Sequence, residues 1–209
     1  VREQSAGEEL ANSVSHGLAL IAAVVGIPFL LGAVARPVSA SMVGSIVFAF
    51  TMVAVYLSST IYHALPTGRG KHFFMKLDRI AIYLFIAGSY TPFALGALAG
   101  PWGFSIFAVI WSLAAIGVTL TAYDRLLGAW PSTALYLVMG WLVLVAAGPL
   151  IALTPARSIF LLVAGGISYT VGVAFFLLDS RLPYAHTIWH LFVIGGTGCH
   201  YCAVLNCNA

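Results

Sequence analysis

The chain has 209 residues, of which 61% are hydrophobic and 7% charged, with a formal net charge of +3 and a mean hydropathy of +1.02. Soluble domains carry charge on about a quarter of their residues. So sparse a set excludes a soluble globular fold, a disordered chain and a nucleic-acid binder, which would need clustered Lys and Arg. What remains is an all-α integral membrane protein.

Six stretches contain no Asp, Glu, Lys or Arg: 10–35, 37–68, 80–123, 126–156, 158–178 and 182–209. A helix crosses a bilayer with about 20 mostly apolar residues. The third stretch is too long for one crossing and is broken by Gly96, Gly100, Pro101 and Gly103. The prediction is therefore a single seven-transmembrane helix bundle over 1–209, with helices near 10–34, 40–64, 78–98, 103–123, 133–152, 157–178 and 184–206. The first stretch follows Glu3, Glu8 and Glu9 against a single Arg2, the opposite of the basic lead of a cleavable signal, and is expected to remain as a span. The stretches do not alternate as the strands of a membrane barrel do.

With those spans, Arg2, Arg69, Lys71, Lys76, Arg79, Arg125 and Arg181 fall on one side and only Arg36 and Arg157 on the other. Lys and Arg mark cytoplasmic loops. The expectation is a cytoplasmic N-terminus and an outer C-terminus in the cell (inner) membrane.

Ionisable residues inside spans are costly and point to function. Five histidines fall in or at the ends of predicted helices: His16, His63, His186, His190 and His200. His72 is placed in a basic, solvated loop. His186 and His190 lie four apart, so one helix face presents both rings about 6 Å apart along the axis. That is how a helix offers two imidazoles to one metal ion, although two histidines bonded to neighbouring helices would show the same spacing. In the predicted topology His63 ends the second helix on the side where the seventh begins. Asp78 opens the third helix there, and Glu9, Asn12 and His16 share a face of the first. Embedded polar residues thus gather in one layer.

Three neutral imidazoles can hold zinc with one coordination position open, and His63, His186 and His190 are the candidate ligands. Asp78 reads either as an acid at a helix N-terminus paired with Lys76 or Arg79, or as a catalytic carboxylate that holds a water and moves its proton. Ser59, four residues before His63, reads either as a donor to a developing oxyanion or as a hydroxyl bonded back to its own helix. Glu9, Asn12 and His16 are candidate outer partners of the ligands or simple interhelix contacts. Cys199, Cys202 and Cys207 crowd the far end of the last helix, and Cys199 lies about 13 Å of rise beyond His190. His200, about 15 Å beyond His190, is too distant to join the cluster.

The motifs Glu9-x-x-Asn12-x-x-x-His16, Ser58-Ser59-Thr-Ile-Tyr62-His63, Leu77-Asp78-Arg79 and His186-x-x-x-His190 resemble the haemolysin III family. This is the bacterial branch of the progestin and adipoQ receptors, which include the adiponectin receptors and are related to alkaline ceramidases. The stretches Ile82–Phe93 and Trp189–Gly196 extend the similarity over essentially the whole chain. The resemblance implies a seven-helix bundle with the N-terminus inside, and a zinc ion on His63, His186 and His190. Asp78 and Ser59 complete its pattern, and hydrolysis of lipid amides is the implied activity. The segment before the first predicted helix is very short, so the larger cytoplasmic domain of the receptor members is expected to be missing.

The function expected is a zinc-dependent intramembrane hydrolase of lipid amide or ester bonds serving membrane lipid homeostasis, with membrane lipids as substrate or ligand. The competing reading is a receptor-like sensor whose zinc is structural, and a haemolysin-type pore comes third. Retinal chemistry is excluded because the only lysines, Lys71 and Lys76, precede the third predicted helix.

Overall fold

The structure, a computed structural model, describes residues 4–34, 39–125 and 129–208. Arg2, Glu3 and Arg36, used above, lie outside the described residues. The described residues form helices throughout: α1 (Ala6–Gly32), α2 (Ala40–Ala64), α3 (Arg69–Leu95), α4 (Pro101–Ala122), α5 (Ala129–Trp141), a 3-10 turn (Leu142–Ala146), α6 (Ala147–Leu153), α7 (Ala156–Leu178) and α8 (Ala185–Asn208). Six segments are long and apolar enough to cross a membrane: α1, α2, α4, Trp130–Leu153, α7 and α8. The third predicted span is not among them, because α3 begins at Arg69 and carries Lys71, Lys76, Asp78 and Arg79. The architecture is an all-α membrane protein.

The outer surface is apolar: Leu18, Phe29, Phe50 and Phe160 are each 64–72% exposed. In water such a surface would drive aggregation; in hydrocarbon it costs nothing. Lipid supplies no hydrophobic drive between helices, so close approach by small residues does the packing. A Cβ on Gly88 of α3 would strike Thr51 of α2, and one on Gly117 of α4 would lie 2.5 Å from the Tyr83 ring of α3.

Local sequence sets the helix ends that matter. Ser5 and Glu8 form a reciprocal capping box at the start of α1, with Glu8 N–H donating to Ser5 Oγ at 3.3 Å and Ser5 N–H to Glu8 Oε2 at 2.9 Å. Pro66 forces Leu65 into extended backbone and ends α2 one residue after His63. Gly68, at φ 154°, turns the chain back into α3. Lys71 Nζ then donates to the Tyr62 and Leu65 carbonyls at 3.1 Å each, satisfying the end of α2.

Two expectations are corrected here. The stretch 69–77 is helix rather than loop, and exposed His72 sits in the first turns of α3. The predicted fifth helix is not continuous, because Leu142–Ala146 winds as a 3-10 turn. Pro149 lies in α6 and can neither donate to the carbonyl four residues back nor let the preceding turn close normally. Tyr90 of α3 repairs the break. Its hydroxyl donates towards the Met139 and Gly140 carbonyls, both at 2.8 Å, and accepts from Val143 N–H at 2.9 Å.

Candidate metal centre

The end of the bundle where α1, α3 and α8 begin and α2 and α7 stop holds the polar side chains. Gln4 Nε2 donates to both oxygens of Asp179 at 3.2 and 3.1 Å, joining the lead of α1 to the end of α7. Tyr184 takes a left-handed φ of 57°, strained for a bulky side chain. Its N–H donates to Glu8 Oε1 at 2.8 Å, so a buried carboxylate of α1 pins the turn that launches α8.

His186 and His190 occupy the first turns of α8, and His63 the last turn of α2. One ligand nitrogen from each ring lies within 4.8 Å of the others. His63 and His190 are buried and His186 is half-buried. Each Nδ1 is engaged from outside the cluster. His63 Nδ1 meets Glu9 Oε2 at 2.7 Å, and His186 Nδ1 meets Asp179 Oδ2 at 3.1 Å. His190 Nδ1 meets the Asn12 carbonyl at 3.3 Å and Ser15 Oγ at 3.2 Å. Carboxylates and carbonyls only accept, so each Nδ1 carries its ring's proton and each Nε2 is left as a bare lone pair. His63 Nε2 is buried with no hydrogen-bond partner among the described residues. Three converging lone pairs repel one another unless a cation sits between them. This donor set therefore fits a metal ion, and outer carboxylate and carbonyl partners are what metal-bound histidines usually have.

The residues named from sequence fall around this trio. Glu9 bridges His63 to Lys71, whose Nζ lies 2.9 Å from Glu9 Oε1, so it is a paired acid rather than a solvated one. Asn12, fully buried, donates to Gln4 Oε1 at 2.7 Å and accepts from Thr187 Oγ1 at 2.6 Å. His16 is buried and stacks on His190 at 3.6 Å between ring centroids; neither of its nitrogens has a partner among the described residues. Ser59 Oγ is likewise buried without a partner among the described residues, whereas neighbouring Ser58 bonds back to Val55 O at 3.2 Å. Asp78 lies well inside α3, not at its start, so the reading as an acid at a helix N-terminus fails. Lys76 pairs instead with Asp124 at 2.6 Å.

Asp78, Ser59, His16, His186 and His190 all line one cavity of about 620 Å³. It extends from the histidine cluster between α3, α5 and α7 to Leu98 and Leu150 near the opposite end, with predominantly apolar walls. Asp179, Gln4, Ser15 and Thr187 were not singled out from sequence. Cys199, Cys202 and Cys207 are free thiols on α8, away from the cluster.

These features define an all-α membrane protein with a three-histidine cluster able to hold a metal ion. The chain belongs to the haemolysin III family: the family model described as haemolysin-III related matches residues 4–201. The chain is similar to Hemolysin-3 of Bacillus cereus, at 40% identity over 95% of this chain and 90% of the relative. It is 38% identical to the Hemolysin-3 homolog of Bacillus subtilis, over 95% of this chain and 93% of the relative. Monocyte to macrophage differentiation factor of Homo sapiens is 29% identical, over 94% and 83% respectively. No solved structure matches.

Proposed function

We propose that this chain is a seven-span, zinc-dependent hydrolase of lipid amide or ester bonds in the inner membrane, with its metal centre on the cytoplasmic side and a role in membrane lipid homeostasis. The observation that carries this reading is a trio of imidazoles whose ligand nitrogens lie within 4.8 Å of one another, with His186 and His190 lining one end of an apolar cavity large enough for a lipid chain. His63, His186 and His190 would hold the zinc. When bound, it would supply the Lewis acid that polarises a carbonyl.

The remaining steps belong to the chain. The apolar walls hold the acyl tail and keep bulk water from the scissile bond. Ser59 Oγ–H, on the same cavity wall as Asp78, donates to the carbonyl oxygen as charge develops there. Asp78 takes a proton from the attacking water, whose oxygen bonds to the carbonyl carbon. The C–N or C–O bond then breaks, and Asp78 returns the proton to the departing amine or alcohol.

The test is metal analysis of purified protein beside a lipid-cleavage screen. Wild type is expected to carry stoichiometric zinc and to release fatty acid from a ceramide or ester lipid. His63→Ala should lose the metal, and Asp78→Asn should keep fold and zinc but lose turnover. Zinc retained by His63→Ala would overturn the ligand assignment. Wild type that holds zinc yet cleaves nothing in a broad amide and ester panel would favour the sensor reading, in which the metal clamps α2 to α8.

A further inference from the structure

His200 lies on α8 ten residues beyond His190, about 15 Å further along the helix. It lines the same cavity, far from the metal cluster. Both of its ring nitrogens are buried and neither has a hydrogen-bond partner among the described residues. The ring is not a stray polar group that packing happens to tolerate. Gly165 of α7 makes room for it: a Cβ there would strike the imidazole and lie 2.7 Å from Nε2. Tyr169 holds it edge-on at 5.3 Å between ring centroids. A buried polar group left unbonded is costly, and in a span that cost calls for a partner.

We propose that His200 is a second polar station of the cavity, taking a hydroxyl carried on the chain of a bound lipid roughly 15 Å from the end that meets the metal cluster. The chemistry narrows the ligand further. A neutral imidazole has one N–H donor and one bare acceptor nitrogen, and neither is bonded here among the described residues. A hydroxyl both donates and accepts, so it suits either nitrogen, whereas a ketone or ether oxygen suits only the N–H. The inference rests on the cavity being a lipid chamber, as proposed above, but not on turnover or on zinc.

The test compares binding of oleate, ricinoleate (the same chain with a mid-chain hydroxyl) and the ketone made by oxidising that hydroxyl, to the purified full chain in detergent. Wild type is expected to prefer ricinoleate over oleate by roughly three- to tenfold, the fold-change of one net hydrogen bond. The ketone, which can only accept, should bind no more tightly than ricinoleate. His200→Phe, which keeps an aromatic ring in the slot beside Gly165, should bind all three alike while retaining oleate affinity, and that retained affinity reports an intact cavity. Equal binding of ricinoleate and oleate to wild type would overturn the proposal, as would a ketone that outbinds the hydroxyl or a preference that survives in His200→Phe. The wild-type comparison decides the matter even if the variant fails to fold. Absence of zinc or of turnover would sink the hydrolase reading and leave this one standing.

Discussion

Asp179 shows what a single residue outside the ligand trio does. Its carboxylate meets His186 Nδ1 at 3.1 Å while both its oxygens accept from Gln4, so it fixes the ring's tautomer and is itself held. Removing an outer partner of this kind typically costs 10–100-fold in metal affinity. Asp179→Asn is expected to weaken zinc binding by about that factor in chelator competition, with helicity unchanged, because the amide no longer enforces a bare Nε2 on His186. Affinity equal to wild type would show that the bond does not orient the ring. The four-residue spacing of His186 and His190 was legible in the sequence because helical periodicity alone puts both on one face. His63 was reachable only by counting spans. Asp179 was not legible at all: its contact closes across the irregular 179–184 turn, where Tyr184 adopts φ 57°, and no periodic rule reaches through such a turn. Ser59 stood between two readings, because the spacing of a serine four residues before a histidine fits a bond to its own helix as well as a place in the site.

At the scale of the element, the segment Trp130–Leu153 is the informative one. Its apolar length marked a span, but the break at Leu142–Ala146 was missed, since hydropathy registers no difference between α and 3-10 winding. Pro149 was the local signal, and Tyr90 on α3 is the tertiary half that sequence spacing cannot show. In hydrocarbon the backbone groups freed by such a break must find partners within the protein. Tyr90→Phe keeps the ring but strips the bonds to Met139 O, Gly140 O and Val143 N. The variant is expected to lose about 1–3 kcal/mol of stability, read as a lower unfolding midpoint in detergent. Its zinc content should match wild type, because no ligand lies on this segment. An unchanged midpoint would mean that water or lipid replaces the hydroxyl.

For the whole molecule, α3 decides the number of crossings, since six other segments qualify by length and hydropathy. Hydropathy does not qualify it, and the reason lies in its N-terminal part, where Arg69, Lys71, Lys76, Asp78 and Arg79 lower the average. Those charges are accommodated: Lys71 meets Glu9, Lys76 meets Asp124, and Asp78 and Arg79 line the cavity. At 27 residues, α3 is about 40 Å long, so its first turns can sit at the interface while its last roughly 20 residues, with Asp78 and Arg79 turned to the cavity, cross about 30 Å of hydrocarbon. The structure also gathers Arg69, Lys71, Lys76, Arg79, Arg125 and Arg181 at the end where α2 stops and α3 begins, with Arg157 at the start of α7 on the opposite end. An excess of Lys and Arg of this kind marks the cytoplasmic face. Parity turns this into a decisive measurement. Seven crossings put the two ends of the chain on opposite sides, whereas six put them on the same side. Reporters fused before α1 and after α8 are therefore expected to read cytoplasmic and external respectively in intact cells. Two cytoplasmic readings would demote α3 to a surface helix. Asp78 would then lie outside the membrane, and the hydrolase reading would lose the carboxylate that moves its proton.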